Sequence, residues 1–533
     1  MDFVFGFLPI TPSSMRNPMS TSRDTSGAIA ANAHRLLWAG FMAILAAGVG
    51  FSIRAGILSQ WAEKFGFTMT ELGQITGGGL TGFGIIILLS SFLADSLGYG
   101  RLMSLAFLTH LVSAILTLAA GYAFASGGKD AAFQCLFWGM FLFAIGNGIA
   151  EAVVNPLVAT LFPNNKTHYL NILHAGWPGG LIVGGLASYF MNPDGGKPVS
   201  WEVQISLFLV PVVLYGAMLL GQSFPKSEAS QAGVSLGEMF TQVFAPLMLV
   251  LLLIHALVGY VELGTDSWIT KITGAIMESK QKGLLLFVYT SALMFLLRFF
   301  AGPIVHRISP LGLLFVSALL GFVGLNMLGA ATTVVACVIA ATVYAIGKTF
   351  LWPTMLAVAS EQFPKGGAIT IGALGGIGML SAGLLGGPGI GFKQDYNATV
   401  NLKEKGIEVY NRYKAPKENS FFGFRVTGLD GAKVGVLEDG GKELSRASEL
   451  LKKEGRTDKN TDDLSAWWQE ASKTAANDKT LVTDAGLYGG RQALKLTSLV
   501  PLTMAVLYLL LILYFRSRGG YKPKNLDGTG AAH

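Results

Sequence analysis

The sequence predicts an all-α membrane protein with twelve transmembrane helices in two pseudo-symmetric six-helix bundles and a charged extracytoplasmic insert between helices 11 and 12. Three observations predict it. The first is composition: 51% of the 533 residues are apolar, 13% are charged, and the mean hydropathy is +0.51. So little polar surface cannot coat a soluble globule of this length, which makes lipid the solvent for most of the chain. The 68 glycines suit helices that must approach closely without a hydrophobic driving force between them. The second is a series of apolar runs with short polar breaks. The third is an internal repeat.

The apolar runs fall near 36–61, 70–94, 101–125, 132–162, 169–191, 203–223, 242–270, 283–306, 310–330, 332–361, 367–390 and 494–515. Each reaches the roughly 20 residues that cross a bilayer core, and the longer ones imply tilt or kinks at Pro and Gly. Residues 1–33, rich in Ser, Thr, Asn and Pro, lack the apolar core of a signal peptide and read as a disordered tail. The remaining organisation follows: a first bundle over 34–224, a linker over 225–241, helices 7–11 over 242–390, the insert over 391–491, helix 12 over 492–515 and a tail over 516–533.

Short-loop basic residues set the orientation. With both termini cytoplasmic, Arg35, Arg101, Lys166, Lys226, Arg307, Lys365, Arg516, Arg518, Lys522 and Lys524 face inward. The opposite loops offer only Lys64, Lys129, Lys197, Lys271, Lys280 and Lys282. The insert then lies outside, with helix-like patches at 399–413, 443–454 and 463–476 and one Asn397-Ala398-Thr399 sequon. The expected location is the inner (plasma) membrane.

The repeat relates spans four and ten. Glu151 stands five positions before Pro156, and Lys348 five before Pro353; Phe162-Pro163 and Phe363-Pro364 follow, each leading into a Gly-rich span. Parallel repeats of this kind place a binding site between the two halves. Glu151 and Lys348 are therefore expected at pseudo-symmetric positions facing a central cavity.

On these residues the chain resembles the major facilitator superfamily and, within it, the fucose permease-like sugar:proton symporters. Glu151, Asn155 and Pro156 with Leu170-Asn171 match that branch's pattern in spans four and five; Trp352-Pro353-Thr354 is similar to its aromatic-Pro-Thr in span ten. Glu262 followed by Ser267-Trp268 resembles its span-seven glutamate. Asp95, Gly98 and Arg101 resemble the superfamily's gating loop after span two, and Arg298, Gly302 and Arg307 its counterpart after span eight. The chain departs from the branch at Ala55, where a span-one aspartate takes part in proton coupling, and at His174 and Trp177, which replace Gln and Asn in span five. The resemblance implies alternating-access transport of a sugar with protons.

Ionisable groups at mid-membrane cost at least about 2.5–3.5 kcal/mol and are functional candidates by default. Five stand out: Arg54, Glu151, Glu262, Asp266 and Lys348. A carboxyl that alternates between protonated and ionised states can carry a proton, and Glu151 is the first candidate, with Glu262 and Asp266 after it. Arg54 and Lys348 are candidates for solute contact or for ion pairing inside the bundle. Asn155, His174, Trp177, Trp268 and Trp352 complete the expected solute site, the indoles by stacking on a sugar ring. Helix packing is the competing reading for each of them.

No phosphate-binding Gly-rich loop, His-Glu-x-x-His pair or Ser/His/Asp set occurs, so neither an ATP-driven pump nor an intramembrane hydrolase is expected. Cys135 and Cys337 sit in apolar runs without partners at metal-ligand spacing. No metal and no cofactor are expected. The net charge of +7 forms no basic stripe with interleaved aromatics, so no nucleic acid is expected either. The expected partners are a small solute, protons and lipid, and the expected state is a monomer. A carrier of organic anions such as sugar acids, suggested by Arg54 and Lys348, and a non-transporting receptor, suggested by the insert, are the alternatives.

Overall fold

The computed structural model describes residues 31–67, 69–76, 79–192, 198–453, 455 and 457–526. Residues 1–30 of the expected tail, 527–533 of the C-terminal tail and Lys197 lie outside the described residues; helix already begins at Ala33. Apart from a hairpin of Asn419–Phe421 with Phe424–Val426, the regular structure described is helical. Among the described residues ten helices are long and apolar enough to cross a membrane.

One of those ten, Tyr99–Leu161, runs 63 residues. A straight helix of that length would reach ~95 Å, about three times the hydrocarbon thickness. Gly128 breaks it at φ 73°, a left-handed conformation that glycine adopts without a Cβ clash. The two arms then pack side by side. Ser113 Oγ donates to the Gly139 carbonyl at 2.7 Å and His110 Nε2 meets Asn147 Oδ1 at 2.9 Å, pairs nearly symmetric about Gly128, as a hairpin requires. A further stretch is divided at Ala175 into Lys166–His174 and Gly176–Met191. Ser309, at φ 64°, interrupts Ala301–Ala330 just before Pro310.

The repeat has a geometric counterpart. Phe162 has φ −129° and ψ 60°, Phe363 has φ −128° and ψ 59°, and each ends a helix just ahead of a 3-10 turn, Pro163–Asn165 and Pro364–Gly366. This register pairs residue 162 with 363, so the partner of Glu151 is Trp352. The expected partner, Lys348, is about one helical turn out of register. Shared proline spacing suggested it, but Pro156 and Pro353 are not structurally equivalent.

The halves meet chiefly where Gly79–Leu97 packs on Gly367–Ser381, Gly176–Met191 on Lys280–Arg298, and Lys166–His174 on Leu351–Gln362. Inside the second half, helices touch backbone to backbone: a Cβ at Gly259 would lie 1.9 Å from the Gly378 carbonyl oxygen. Only glycine permits that approach. Short helices in the linker, Glu228–Gln231 and Leu236–Thr241, lay Ala229 and Met239 on Ile369. Ser235 caps the second of these and, by hydrogen bonding, holds the Glu238 carboxyl below its ordinary range.

The 391–491 segment has no independent start or end. Gly387–Lys405 and Ala475–Ser517 run unbroken into it. Between them a small head forms around Val409, Tyr410, Tyr413, Leu437, Trp467 and Trp468, packed on Leu402 and Val482 of those two helices. Arg412 clamps Asp478 with two bonds of 2.9 and 2.7 Å. The helix Lys442–Lys453 reaches the first half, where Arg446 pairs with Glu63 at 2.7 Å.

Candidate functional site

Between the halves lies a cavity with about 470 Å³ of space between its atoms, part of it open to solvent. Its polar lining is Asn147, Glu151, His174, Trp177, Glu262, Arg298 and Trp352; Ala43, Ala47, Phe83 and Met379 supply apolar wall. Helices from both halves contribute, which the repeat requires. Glu151 comes from the arm of Tyr99–Leu161 that follows Gly128. Glu262 sits in the middle of a π-helical turn, Tyr260–Gly264, inserted between Pro246–Gly259 and Thr265–Ile276. Such turns widen a helix and re-aim one side chain, and they recur at functional sites.

The first half supplies a linked set. His174 Nε2 lies 2.8 Å from Asn155 Oδ1 and 3.7 Å from Glu151 Oε1, while Asn155 Nδ2 donates to the Glu151 carbonyl at 2.9 Å. From the second half, Trp352 lies tilted against buried His255, ring centres 4.6 Å apart, and lines the cavity. Asn147 carries the network away from the cavity through His110 to Tyr215, whose hydroxyl is 2.9 Å from His110 Nδ1.

The second half supplies charges already in pairs. Arg298 Nη2 donates to Glu262 Oε1 at 3.1 Å. One turn beyond Glu262, Asp266 accepts from Lys348 Nζ at 2.5 Å. Glu151 differs: among the described residues no Lys or Arg bridges it, and the basic group beside it is the His174 imidazole at 3.7 Å.

Several expected site residues stand elsewhere. Arg54 is 2% exposed but lies inside the first bundle, 4.0 Å above the Phe143 ring and 4.9 Å from Phe208, donating to the Gly50 carbonyl and Ser113 Oγ. It is not part of the cavity lining, because two aromatic faces and two hydrogen bonds hold it among its own helices. Trp268 is also off the cavity, its indole N–H satisfied by the Gly387 carbonyl at 2.8 Å. Lys348 is buried, yet its bond to Asp266 keeps it out of the lining as well.

The gating-loop residues divide. Asp95 is half-buried and takes the Ser227 hydroxyl; Gly98 turns the chain at φ 85°; Arg101 and Arg307 are exposed; Gly302 lies against His168. Arg298 is not a loop residue. It ends Lys280–Arg298, is 1% exposed and lines the cavity, so its match to a loop pattern misplaced it. Arg298 and Asn147 are the cavity residues that sequence reasoning missed.

The profile of the Major Facilitator Superfamily matches residues 40–387. The chain belongs to the Major Facilitator Superfamily. Members of this superfamily are transporters, and this facilitator is a multi-pass membrane protein. Among curated proteins it is similar to the cis,cis-muconate transport protein of Acinetobacter baylyi, 27% identical over 192 residues, 36% of this chain. The chain matches 43% of that relative's length. Among solved structures it is similar to the E. coli fucose:proton symporter FucP (16% identity, TM-score 0.55, 68% of this chain and 91% of the other). It is also similar to the proton:xylose symporter XylE (12%, TM-score 0.56, 72% and 91%). A bacterial homolog of the human lysosomal transporter Spinster aligns over 92% of this chain and 99% of its own, at 15% identity and TM-score 0.60. At these identities the structures speak for the fold alone.

Proposed function

We propose that this facilitator is a proton-coupled secondary transporter that moves a small, uncharged polar solute of the sugar class by alternating access. One observation carries the reading: among the described residues Glu151 is the cavity carboxylate without a cationic side chain of its own, while Glu262 has Arg298 and Asp266 has Lys348. With Glu151 protonated the charges around the cavity cancel, a setting that suits a neutral solute. Ionised, Glu151 leaves one uncompensated negative charge at a buried position, a costly state that favours opening to water. Trp177 and Trp352 offer flat apolar faces, and Asn147 and His174 offer hydrogen bonds.

The likeness to a muconate transporter favours a second reading, transport of an organic anion that would draw on Arg298. A panel of neutral sugars, sugar acids and dicarboxylates, offered to proteoliposomes under an imposed proton gradient, separates the two. Accumulation of a neutral sugar with proton entry is expected. Accumulation of acids alone would replace the first reading with the second, and no uptake of any kind would leave a receptor.

Membrane placement belongs to the same proposal. Counting both arms of Tyr99–Leu161 separately, and Lys166–His174 with Gly176–Met191 as one crossing, brings the ten apolar helices to twelve spans in two bundles. An even number puts both termini on one side, the cytoplasm by the basic-loop bias, and the head on the other. A Ser465→Cys variant in a background lacking Cys135 and Cys337 should react with an impermeant maleimide in intact spheroplasts. Reaction only after lysis would reverse the orientation.

A further inference from the structure

Two prolines leave a carbonyl unpaired in each half. In a helix the carbonyl of residue i accepts from the N–H of residue i+4, and proline has none. Pro178 therefore strips the His174 carbonyl of its partner, and Pro353 strips that of Thr349, while the next bonds along, Gly179 N–H to Ala175 and Thr354 N–H to Phe350, are made. Both orphaned oxygens are taken by the same side chain. Arg298 Nε donates to the Thr349 carbonyl at 2.9 Å and Nη1 to the His174 carbonyl at 2.5 Å, with Nη2 on Glu262. His174 belongs to the first half, whereas Thr349, Glu262 and Arg298 belong to the second.

We infer that Arg298 is a positioning residue that pins the two halves together beside the cavity, using carbonyls freed by Pro178 and Pro353 as its two backbone sockets. The inference rests on the alternating-access reading, under which the halves separate and the His174 bond must break. A guanidinium fork is well shaped for such a pin, since its planar donors reach three acceptors at once and it keeps its charge throughout. Glu262 holds the fork in the second half, so separation frees the His174 carbonyl alone. That carbonyl belongs to the residue whose imidazole contacts Asn155 and lies 3.7 Å from Glu151, so the pin reports on a neighbour of the coupling carboxylate.

The test uses the full-length protein in detergent with Cys135→Ser, Cys337→Ser and a thiol introduced by Ala47→Cys on the cavity wall. N-ethylmaleimide reaches that thiol only when the halves part. Removing the pin by Arg298→Met together with Glu262→Gln leaves no stray buried charge. The labelling rate should then rise about tenfold, the scale of one charge-assisted hydrogen bond. Adding Pro178→Ala gives the His174 carbonyl an internal partner. It should recover the thermal stability lost in the double variant while labelling stays fast. Labelling as slow as the parent in the folded double variant, or restored to the parent rate by Pro178→Ala, would reduce Arg298 to a local carbonyl cap and overturn the pin. Because labelling needs no solute, fast labelling of the variants in a protein that accumulates nothing would keep the pin and sink the transport reading instead.

Discussion

Replacing Glu151 with Gln is expected to abolish uphill accumulation and solute-induced proton entry while leaving counterflow intact. The amide has nearly the volume of the protonated carboxyl and cannot ionise, so the carrier stays in the form that cycles only with solute on board. Exchange of labelled for unlabelled solute needs that form alone and should continue at close to the parent rate. Net concentration should fall to equal levels on both sides of the membrane. The measurement is paired: radiolabelled uptake under a proton gradient, and counterflow without one. A Glu151→Gln protein that still concentrates solute would pass the coupling role to His174, 3.7 Å away, or to Glu262.

The second large effect is on stability. Lys348 and Asp266 are bonded at 2.5 Å with both side chains largely out of contact with solvent. Lys348→Met leaves Asp266 a buried charge with no counter-ion, a loss of about 3–5 kcal/mol. Asp266→Asn in the same chain removes the stranded charge and should recover most of that loss, because a buried pair is worth little over a neutral replacement of similar shape. Equilibrium denaturation in mixed micelles measures both. If the single and double variants lose the same amount, the pair is not what stabilises this region, and the cation–π contact of the Lys348 ammonium, 5.3 Å over the Tyr344 ring, becomes the better explanation.

The membrane class, the helical content and five of the seven polar cavity residues were legible in the sequence because each rests on a local signal. A carboxylate inside an apolar run cannot be ignored, and Glu151 and Glu262 were found on that ground. Trp352 was found through its proline. Arg298 shows how a local signal can mislead: it also sits in an apolar run, but its neighbours fit a loop pattern, and the pattern drew it out of the membrane. The structure returns it to the cavity because the helix continues to that residue. Arg54 shows the opposite failure. Its burial was legible, but its surroundings were not, since Phe143 and Phe208 lie about 90 and 150 residues further along the chain and only packing brings them to its faces. The repeat register failed for a similar reason. Proline spacing is a sequence feature, whereas the matched turns at Phe162 and Phe363 are a backbone feature that no pattern of letters displays.

The head carried by Gly387–Lys405 and Ala475–Ser517 has no flexible neck, since both supports are uninterrupted helix from the bundle into the head. A body fixed in that way turns only as its supports turn, and its far surface sweeps an arc that grows with distance from the pivot. The ion pair that joins it to the first half, Arg446 with Glu63, is about half exposed at both ends and too weak to clamp it. The head is thus a natural protractor: a small tilt between bundles, hard to see among packed helices, becomes a displacement large enough to read with a pair of fluorophores, one on the head and one beside Glu63.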